Sequence, residues 1–214
     1  VGIRVLAGGA LSGSAERHPI AGPAPEPIGS AMSYDADIDR ARRLMPLVEE
    51  AGFTALRFPG GAWTDTVDMK SFQIDMLMTF ARQVGGMPTI SVRLLGGKPE
   101  TAADLVRYTN IEKKYGVTYW SIGNEPSIYT QLGQADYDYT VEHLNKDWRA
   151  IALAMKKADP TIKLMGPEIH QWNDSLETTP KDSAGRDWMT EFLKANGDLL
   201  DVVTVHRYPL HSPT

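Results

Sequence analysis

Short apolar runs alternate with longer amphipathic segments along this chain. Strands that alternate with helices indicate a parallel sheet with crossover helices, and short, mostly apolar runs are typical of strands buried on both faces. The pattern therefore predicts an α/β fold with about six β/α units. The six predicted strands are Ile3–Ala7, Thr54–Phe58, Thr89–Leu94, Thr118–Ile122, Ile162–Met165 and Val202–His206.

Between these runs, apolar residues recur at steps of three and four, as they do on one face of a helix. We interpret the methionine and aromatic residues in these stripes as helix faces that pack on the sheet. A capping box at Thr101–Asp104 and the Asp159-Pro160 pair mark one predicted helix start and one predicted helix end. The predicted helices are Ile38–Val48, Ile74–Val84, Thr101–Gly116, Tyr137–Ala158 and Trp188–Leu193.

Six consecutive β/α units favour a TIM (β/α)8-type barrel over a doubly wound sheet. A complete barrel typically needs about 250 residues, whereas this chain has 214 and stops directly after its sixth predicted strand. We therefore expect a single domain over residues 1–214 that forms a barrel lacking two units. The segment Gly8–Ser33 is rich in Gly, Pro, Ser and Ala, which predicts a long loop.

Composition excludes several classes of partner. A net charge of -5 and a pI near 5.5 give no basic surface for nucleic acid. No apolar run approaches the roughly 18 residues that span a bilayer, and the N-terminal residues do not resemble a signal peptide. The absence of cysteine excludes disulfides and thiolate chemistry. Localisation stays open between secreted and cytoplasmic.

Polar side chains follow the predicted strands, and in parallel α/β barrels the active site lies at the carboxyl ends of the strands. The sequence therefore predicts that these groups meet at one end of the sheet. The candidates are Arg57 after the second strand, Asn124 and Glu125 after the fourth, Glu168 after the fifth, and His206 and Tyr208 after the sixth.

Three of these strand ends resemble known sequence signatures. The segment 119–126 (YWSIGNEP) resembles the fourth-strand signature of clan A glycoside hydrolases. The segments 56–61 (LRFPGG) and 201–209 (DVVTVHRYP) are similar to the second and sixth strands of the same clan. Together the matches extend over about residues 52–209 in the right order, and they imply a barrel that cleaves O-glycosidic bonds in a carbohydrate.

The resemblance also implies roles for individual residues. Glu125 corresponds to the general acid/base, which protonates the leaving oxygen and later activates water. Asn124 corresponds to the residue that hydrogen-bonds the sugar 2-hydroxyl, and Arg57 to an arginine that keeps the nucleophile ionised. His206 and Tyr208 correspond to sixth-strand groups that orient carboxylates at the site.

Three further residues are candidates for substrate binding. Trp63 and Trp172 can stack on sugar rings or pack in the interior, and the sequence does not choose between these alternatives. Glu168 is the other carboxylate close to the predicted site. Glu168 and His170 lie two residues apart, but two ligands without a third are poor grounds for a metal site, so we expect neither a metal nor a cofactor.

The chain departs from the clan A pattern at the nucleophile. Retaining members use two carboxylates about 5–5.5 Å apart, and in clan A the second is a glutamate at the end of the seventh strand. No seventh strand follows Thr214. We therefore expect a second chain, self-association or a further C-terminal segment to complete the site, or else a protein that does not turn over its substrate.

The first fifty residues resemble a different family. The segments 2–13, 17–19, 27–30 and 39–44 are similar to a stretch from the second half of an aldo-keto reductase barrel. This resemblance implies a recombinant joined near Glu50–Gly52, in which residues 1–51 supply the first β/α unit and residues 52–214 the hydrolase-like units. A shared barrel requires Ile3–Ala7 to lie beside Thr54–Phe58. A G-x-G-x-x-G fingerprint is missing, so nicotinamide binding is not expected.

Three functional hypotheses follow from the sequence. The first, which we favour, is a retaining O-glycosyl hydrolase with Glu125 as acid/base. The second is a carbohydrate-binding barrel without turnover, and the third is a recombinant barrel scaffold. The identity of the sugar and the choice of endo or exo action depend on loop geometry that spacing does not reveal.

Overall fold

The structure is a computed structural model. It describes residues 54–173, 175 and 177–208, together with Arg4, Val5, 46, 47 and 50–52. The whole segment predicted as a long loop, most of the predicted helix Ile38–Val48 and most of the reductase-like stretch lie outside the described residues.

Strands and helices alternate along the described chain, as the hydrophobic pattern predicts. The connections include short 3-10 turns at Gly61–Asp65 and Pro126–Ile128 and a π-helical segment at Arg107–Glu112. The strands are β1 (Arg4–Val5), β2 (Ala55–Phe58), β3 (Met87–Val92), β4 (Tyr119–Ile122), β5 (Lys163–His170) and β6 (Val202–His206). The helices are α1 (Ser71–Val84), α2 (Pro99–Val106), α3 (Val141–Ala158) and α4 (Trp188–Asn196).

All six strands form one parallel sheet in the order β1-β6-β5-β4-β3-β2. From β2 to β6, each strand pairs with the next one along the chain, which is the arrangement of consecutive β/α units in a barrel. The fold is therefore an incomplete (β/α)8-type barrel, and the predicted fold class is confirmed.

The position of β1 differs from the prediction. Arg4 and Val5 pair with Val202 and Val203 of β6, at the opposite edge of the sheet from β2. The expected neighbour of this strand was the segment Thr54–Phe58. Within the described residues, the first unit therefore does not take the place beside β2 that a shared barrel requires.

The core lies between the sheet and the helices. Ile90 and Trp120 on the central strands are fully buried, and Trp148 of α3 packs edge-on against Phe192 of α4 with ring centroids 5.0 Å apart. The stripes predicted from three- and four-residue spacing are the buried faces of α1 and α3. The interpretation of the aromatic and methionine residues as helix faces is therefore confirmed for these helices.

The starts of α2 and α3 differ from the prediction. Helix α2 begins at Pro99, before the expected capping box at Thr101, because the fixed φ of proline suits the first helical position. Helix α3 begins at Val141, later than Tyr137. Thr140 has an extended backbone, and its amide donates a hydrogen bond to Nδ1 of His143, 3.1 Å away, which caps the helix there.

Strand β5 is longer than predicted, and this difference affects the site. The predicted strand Ile162–Met165 ends before Gly166-Pro167, two residue types that commonly interrupt strands. The strand in fact continues to His170, with a bulge between Pro167 and Ile169 where it pairs with β6. The additional residues include Glu168 and His170, so a strand rather than a loop positions them.

No helix among the described residues is both long and apolar enough to cross a membrane.

Candidate active site

All five predicted catalytic residues meet at the carboxyl ends of the strands. Hydrogen bonds or close polar contacts connect each of them to at least one other member of the group. Two residues of β5 join the same network. The predicted members are Arg57, Asn124, Glu125, His206 and Tyr208, and the residues from β5 are Glu168 and His170.

Glu125 is the centre of this network. Its Oε1 lies 2.7 Å from Nδ1 of His206, 2.9 Å from Nδ1 of His170 and 2.9 Å from the hydroxyl of Tyr208, which donates to it. Burial alone would raise the pKa of this carboxyl, but the bonds from His206, His170 and Tyr208 outweigh it and lower the pKa to about 2. In this arrangement Glu125 is a carboxylate.

The backbone of Glu125 has an uncommon conformation. Its φ of 53° lies in the left-handed region, which a residue with a side chain adopts only when its surroundings hold it there. Gly123, two residues earlier, has a φ of 83°, and a Cβ at this position would lie 2.7 Å from atoms of Leu94. The Gly-Asn-Glu segment therefore makes a tight turn that only this placement of glycine permits.

His206 connects Glu125 to a second carboxylate. Its Nδ1 faces Glu125 and its Nε2 lies 2.7 Å from Oε2 of Glu168. Burial alone would lower the pKa of the imidazole, but hydrogen bonds to Glu125 and Glu168 raise it to about 9. The ring is therefore an imidazolium at neutral pH and donates to both glutamates.

Glu168 belongs to the same network, and its predicted binding of substrate stays a prediction. The residue is only 4% exposed, and its side chain lies on the far side of the His206 ring from Glu125. It leaves almost no surface for a sugar to contact. Burial raises the pKa of Glu168, but His206 and Arg57 have the larger combined effect and lower it, so this carboxyl is also ionised.

Arg57 extends from β2 into the same network. Its Nη2 lies 3.8 Å from Oε2 of Glu168, and its Nε donates to Oγ of Ser91 at 2.9 Å. Nη2 also donates to Oδ1 of Asn124 at 3.3 Å. Arg57 was predicted to keep a nucleophile ionised, and the carboxylate that it contacts among the described residues is Glu168.

Asn124 is held from two sides. Its side-chain oxygen accepts the bond from Arg57, and its backbone amide donates to Oδ2 of Asp65 at 2.9 Å. The side chain is largely buried, with 4% of the residue exposed. Its contact with a sugar 2-hydroxyl stays a prediction.

Asp65 is a supporting residue that the sequence analysis missed. It is 3% exposed, and besides Asn124 it accepts bonds from the amides of Leu94 at 3.1 Å and Leu95 at 3.4 Å. Burial raises its pKa, and the Tyr129 hydroxyl and the backbone amides act in the opposite direction. A single carboxylate thus fixes the ends of β3 and β4 together. A lone aspartate in a polar segment carries no local signal for this role.

His170 and Ser91 were also not predicted as site residues. Ser91 contacts Arg57, and its hydroxyl lies 2.6 Å from that of Ser121 on the neighbouring strand. The two-residue spacing of Glu168 and His170 was visible in the sequence, but it was considered only for a metal site. Among the described residues, no group of three or more His, Cys, Asp or Glu side chains has the arrangement of a metal site.

The two candidate tryptophans have different environments. Trp63 follows β2 and is 45% exposed, with its ring edge-on to Phe58 at 5.6 Å between centroids. Trp172 is partly buried and packs against the core. Trp63 therefore keeps an exposed ring surface, and sugar stacking by either residue stays a prediction.

Comparison with known proteins gives related sequences and folds. No family model matches the chain. The intracellular exo-α-(1→5)-L-arabinofuranosidase of Streptomyces lividans is 24% identical over an alignment that covers 81% of this chain and 30% of that protein. An exo-α-(1→6)-L-arabinofuranosidase of Bifidobacterium longum is also 24% identical, and the alignment covers 81% of this chain and 39% of that protein.

A solved structure has a similar fold. The family 51 α-L-arabinofuranosidase from Bifidobacterium longum superposes with a TM-score of 0.59 at 20% identity, over 78% of this chain and 38% of that one. This chain spans 30% and 39% of the lengths of the two curated relatives named above. The similarity supports the hydrolase-type barrel, whereas the resemblance of residues 1–50 to a reductase is not found in these comparisons.

Proposed function

We propose that this chain supplies the acid/base end of the active site of a retaining glycoside hydrolase, with Glu125 as the general acid/base. The observation that carries the proposal is the position of Glu125 at the end of β4, where His206, His170 and Tyr208 all contact one of its oxygens. Three polar groups on one carboxylate oxygen orient it firmly, as a proton donor to a leaving group requires.

The protonation state of Glu125 must change during such a reaction. A general acid needs its proton when substrate binds, whereas the surrounding donors lower the pKa of Glu125 to about 2. A nucleophile carboxylate placed about 5–5.5 Å away, as in retaining enzymes, would raise the pKa of Glu125 by charge repulsion. Formation of the glycosyl intermediate would then neutralise the nucleophile and return Glu125 to the carboxylate form that activates water.

Glu168 does not fit the role of the nucleophile. The His206 ring occupies the space between Glu168 and Glu125, and the burial of Glu168 prevents the attack on a sugar carbon. The remaining carboxylate of the network is Glu125 itself, at least within the part of the chain that the structure describes. The proposal therefore places the nucleophile in residues outside the described ones, in the same polypeptide or in a second copy.

The relatives support a substrate class. The two relatives named above are exo-acting arabinofuranosidases by name, and the solved structure named above is an α-L-arabinofuranosidase. We propose terminal α-L-arabinofuranosyl groups as the first substrates to test. Among the described residues, Trp63 and Tyr208 are each about half exposed at this end of the sheet and offer aromatic surface to a sugar.

A carbohydrate-binding protein without turnover is the second candidate. It is favoured by one observation: among the described residues, the carboxylate that faces His206 opposite Glu125 is Glu168, and Glu168 is buried. Such a protein would bind a sugar at Glu125 and Trp63 without cleaving it.

The test is hydrolysis of 4-nitrophenyl glycosides by the polypeptide that contains these 214 residues. The panel includes the α-L-arabinofuranoside, the β-D-xyloside and the β-D-glucoside. We expect release of nitrophenol from the arabinofuranoside, and a loss of about 10²–10⁴-fold in kcat for Glu125→Gln. Glu142→Gln, an exposed glutamate paired with Arg186, is the matched control and should keep wild-type activity.

The outcomes separate the two candidates. Sugar binding by calorimetry without hydrolysis of any glycoside would favour the non-catalytic protein. Hydrolysis that persists in Glu125→Gln at the wild-type rate would contradict the assignment of the acid/base.

A further inference from the structure

We propose that Glu168 is a positioning residue for the acid/base, acting through His206, which it keeps as an imidazolium against Glu125. This inference rests on the proposed function for its consequence in catalysis, but the charge arrangement itself is a property of the folded chain. It gives the buried carboxylate of β5 a role that neither substrate binding nor nucleophilic attack provides.

The first argument is the number of protons that the His206 ring must carry. Nδ1 of His206 lies 2.7 Å from Oε1 of Glu125, and Nε2 lies 2.7 Å from Oε2 of Glu168. A neutral imidazole carries one N–H and can donate on one side only. Each ring nitrogen faces one ionised carboxylate oxygen at hydrogen-bond distance. Both nitrogens must therefore carry a proton, which makes the ring a cation.

The second argument is the charge around the ring. Arg57 on β2 approaches Nε2 of His206 at 3.4 Å through Nη1, so this contact joins two donors and repels. Oε2 of Glu168 lies 3.8 Å from Nη2 of Arg57 and 2.7 Å from Nε2 of His206, so its negative charge attracts both cations and offsets their mutual repulsion. Without the carboxylate of Glu168, the ring would face Arg57 on one side with only Glu125 to hold its proton.

The third argument is the number of groups on Glu125. His170 on β5 and Tyr208 after β6 also contact its Oε1, so three polar groups orient this carboxylate. Of the three, the His206 ring is the one that has a second carboxylate behind it. A change at Glu168 therefore reaches Glu125 through the charge on His206 and leaves the contacts from His170 and Tyr208 in place.

The fourth argument is the backbone at Glu168. The pairing of β5 with β6 moves from Pro167–Thr204 to Ile169–Val205, so Glu168 is the extra residue of a bulge. Its φ of 60° is in the left-handed region, which disfavours a residue with a side chain. Bulges of this kind redirect a side chain next to an active site. Here the redirected side chain reaches His206, and the unfavourable backbone is expected where function requires that direction.

The test is an NMR titration of the His206 imidazole in the intact protein. Its signals are assigned by their loss in His206→Asn. In the wild type we expect His206 to titrate at a pKa of about 9. In Glu168→Gln, which keeps the shape of the side chain but removes its charge, we expect the pKa of His206 to fall toward its usual 6.5. Glu142→Gln removes the charge of an exposed glutamate and should leave the His206 titration unchanged.

Activity provides the second readout. A merely structural role for Glu168 would lower kcat/KM at every pH without moving the limbs of its pH profile. A neutral His206 instead stabilises the carboxylate of Glu125 less, so the limb that reports Glu125 should move to higher pH in Glu168→Gln. Glu168→Asp, which restores the charge, should return the limb toward its wild-type position.

The outcomes distinguish this inference from the proposed function. A wild-type His206 that titrates near 6.5, or one whose titration is the same in Glu168→Gln, overturns the positioning role even if the enzyme is active; the wild-type result needs no variant to fold. A raised pKa of His206 that depends on Glu168, in a protein that hydrolyses no glycoside, supports the charge arrangement and contradicts the proposed function.

Discussion

Asp65 provides a quantitative test of how the site is built. Its Oδ1 accepts bonds from the amides of Leu94 and Leu95, and its Oδ2 accepts one from the amide of Asn124. The substitution Asp65→Ala leaves these three buried donors without an acceptor. The bonds at 2.9 and 3.1 Å contribute most, because the third, at 3.4 Å, is long.

The magnitude follows from the cost of an unsatisfied donor. Each buried N–H that loses its acceptor costs about 1–3 kcal/mol, so two cost about 2–6 kcal/mol. Removing a carboxylate whose burial raises its pKa offsets part of this cost. We therefore expect Asp65→Ala to lower the free energy of unfolding by about 3 kcal/mol. Asp65→Asn keeps one acceptor oxygen and should lose about half as much.

The assay is urea unfolding followed by tryptophan fluorescence, with the free energy extrapolated to water. Asp198→Ala is the control, because Asp198 forms an exposed ion pair with Arg149 whose loss should cost less than about 1 kcal/mol. If Asp65→Ala is no less stable than Asp198→Ala, the role of Asp65 in joining the ends of β3 and β4 is wrong.

Three more predictions concern the same end of the sheet. The pKa of His206 rises from 6.5 to about 9 on folding, so the stabilisation of the fold by the charged ring is complete below pH 6.5, declines as pH rises and is lost above about 9. This stabilisation amounts to about 3 kcal/mol. Urea unfolding at pH 5.5 and 9.5 should show the loss of this free energy in the wild type but not in His206→Gln. Gly123→Ala should lower the free energy of unfolding by about 2–4 kcal/mol, because it adds backbone strain and a clash with Leu94. Gly133→Ala, with the same sign of φ and no atom near the new Cβ, should lower it by about 1–2 kcal/mol. Equal losses in thermal unfolding would refute the clash. Tyr208→Phe removes a donor to Glu125 and should move the limb of the kcat/KM profile that reports Glu125 to higher pH, with less than about tenfold loss at the optimum; a profile with unmoved limbs would contradict the contact.

The hydrophobic pattern predicts the framework well because burial decides it. The central strands β3 and β4 and the stripe of α3 carry side chains that are buried in the structure, so their periodicity is preserved from sequence to fold. The residues at the strand ends are also predictable, since parallel topology brings successive carboxyl ends to one edge. Arg57, Glu125 and His206 could therefore be expected to meet before any geometry was known.

The parts that sequence could not predict depend on contacts between distant segments. The bulge in β5 after Gly166-Pro167 is held by pairing with β6, and no conformational preference of the local residues predicts it. Asp65 binds amides about thirty and sixty residues further along the chain, so its role exists only in the fold. The direction of Glu168 toward His206 rather than toward a substrate follows from the same bulge.

The central claim is that Glu125 donates a proton to the leaving group, and the dependence of the rate on the leaving group tests it most directly. The measurement compares kcat/KM of wild type and Glu125→Gln on two α-L-arabinofuranosides, one with a 2,4-dinitrophenyl group that leaves without protonation and one with a methyl group that requires it. We predict a loss of about 10²–10⁴-fold for the methyl glycoside and less than about tenfold for the dinitrophenyl glycoside, which bypasses the acid. Equal losses on both substrates would contradict the claim, because they would mean that Glu125 binds or orients the sugar without protonating the leaving oxygen.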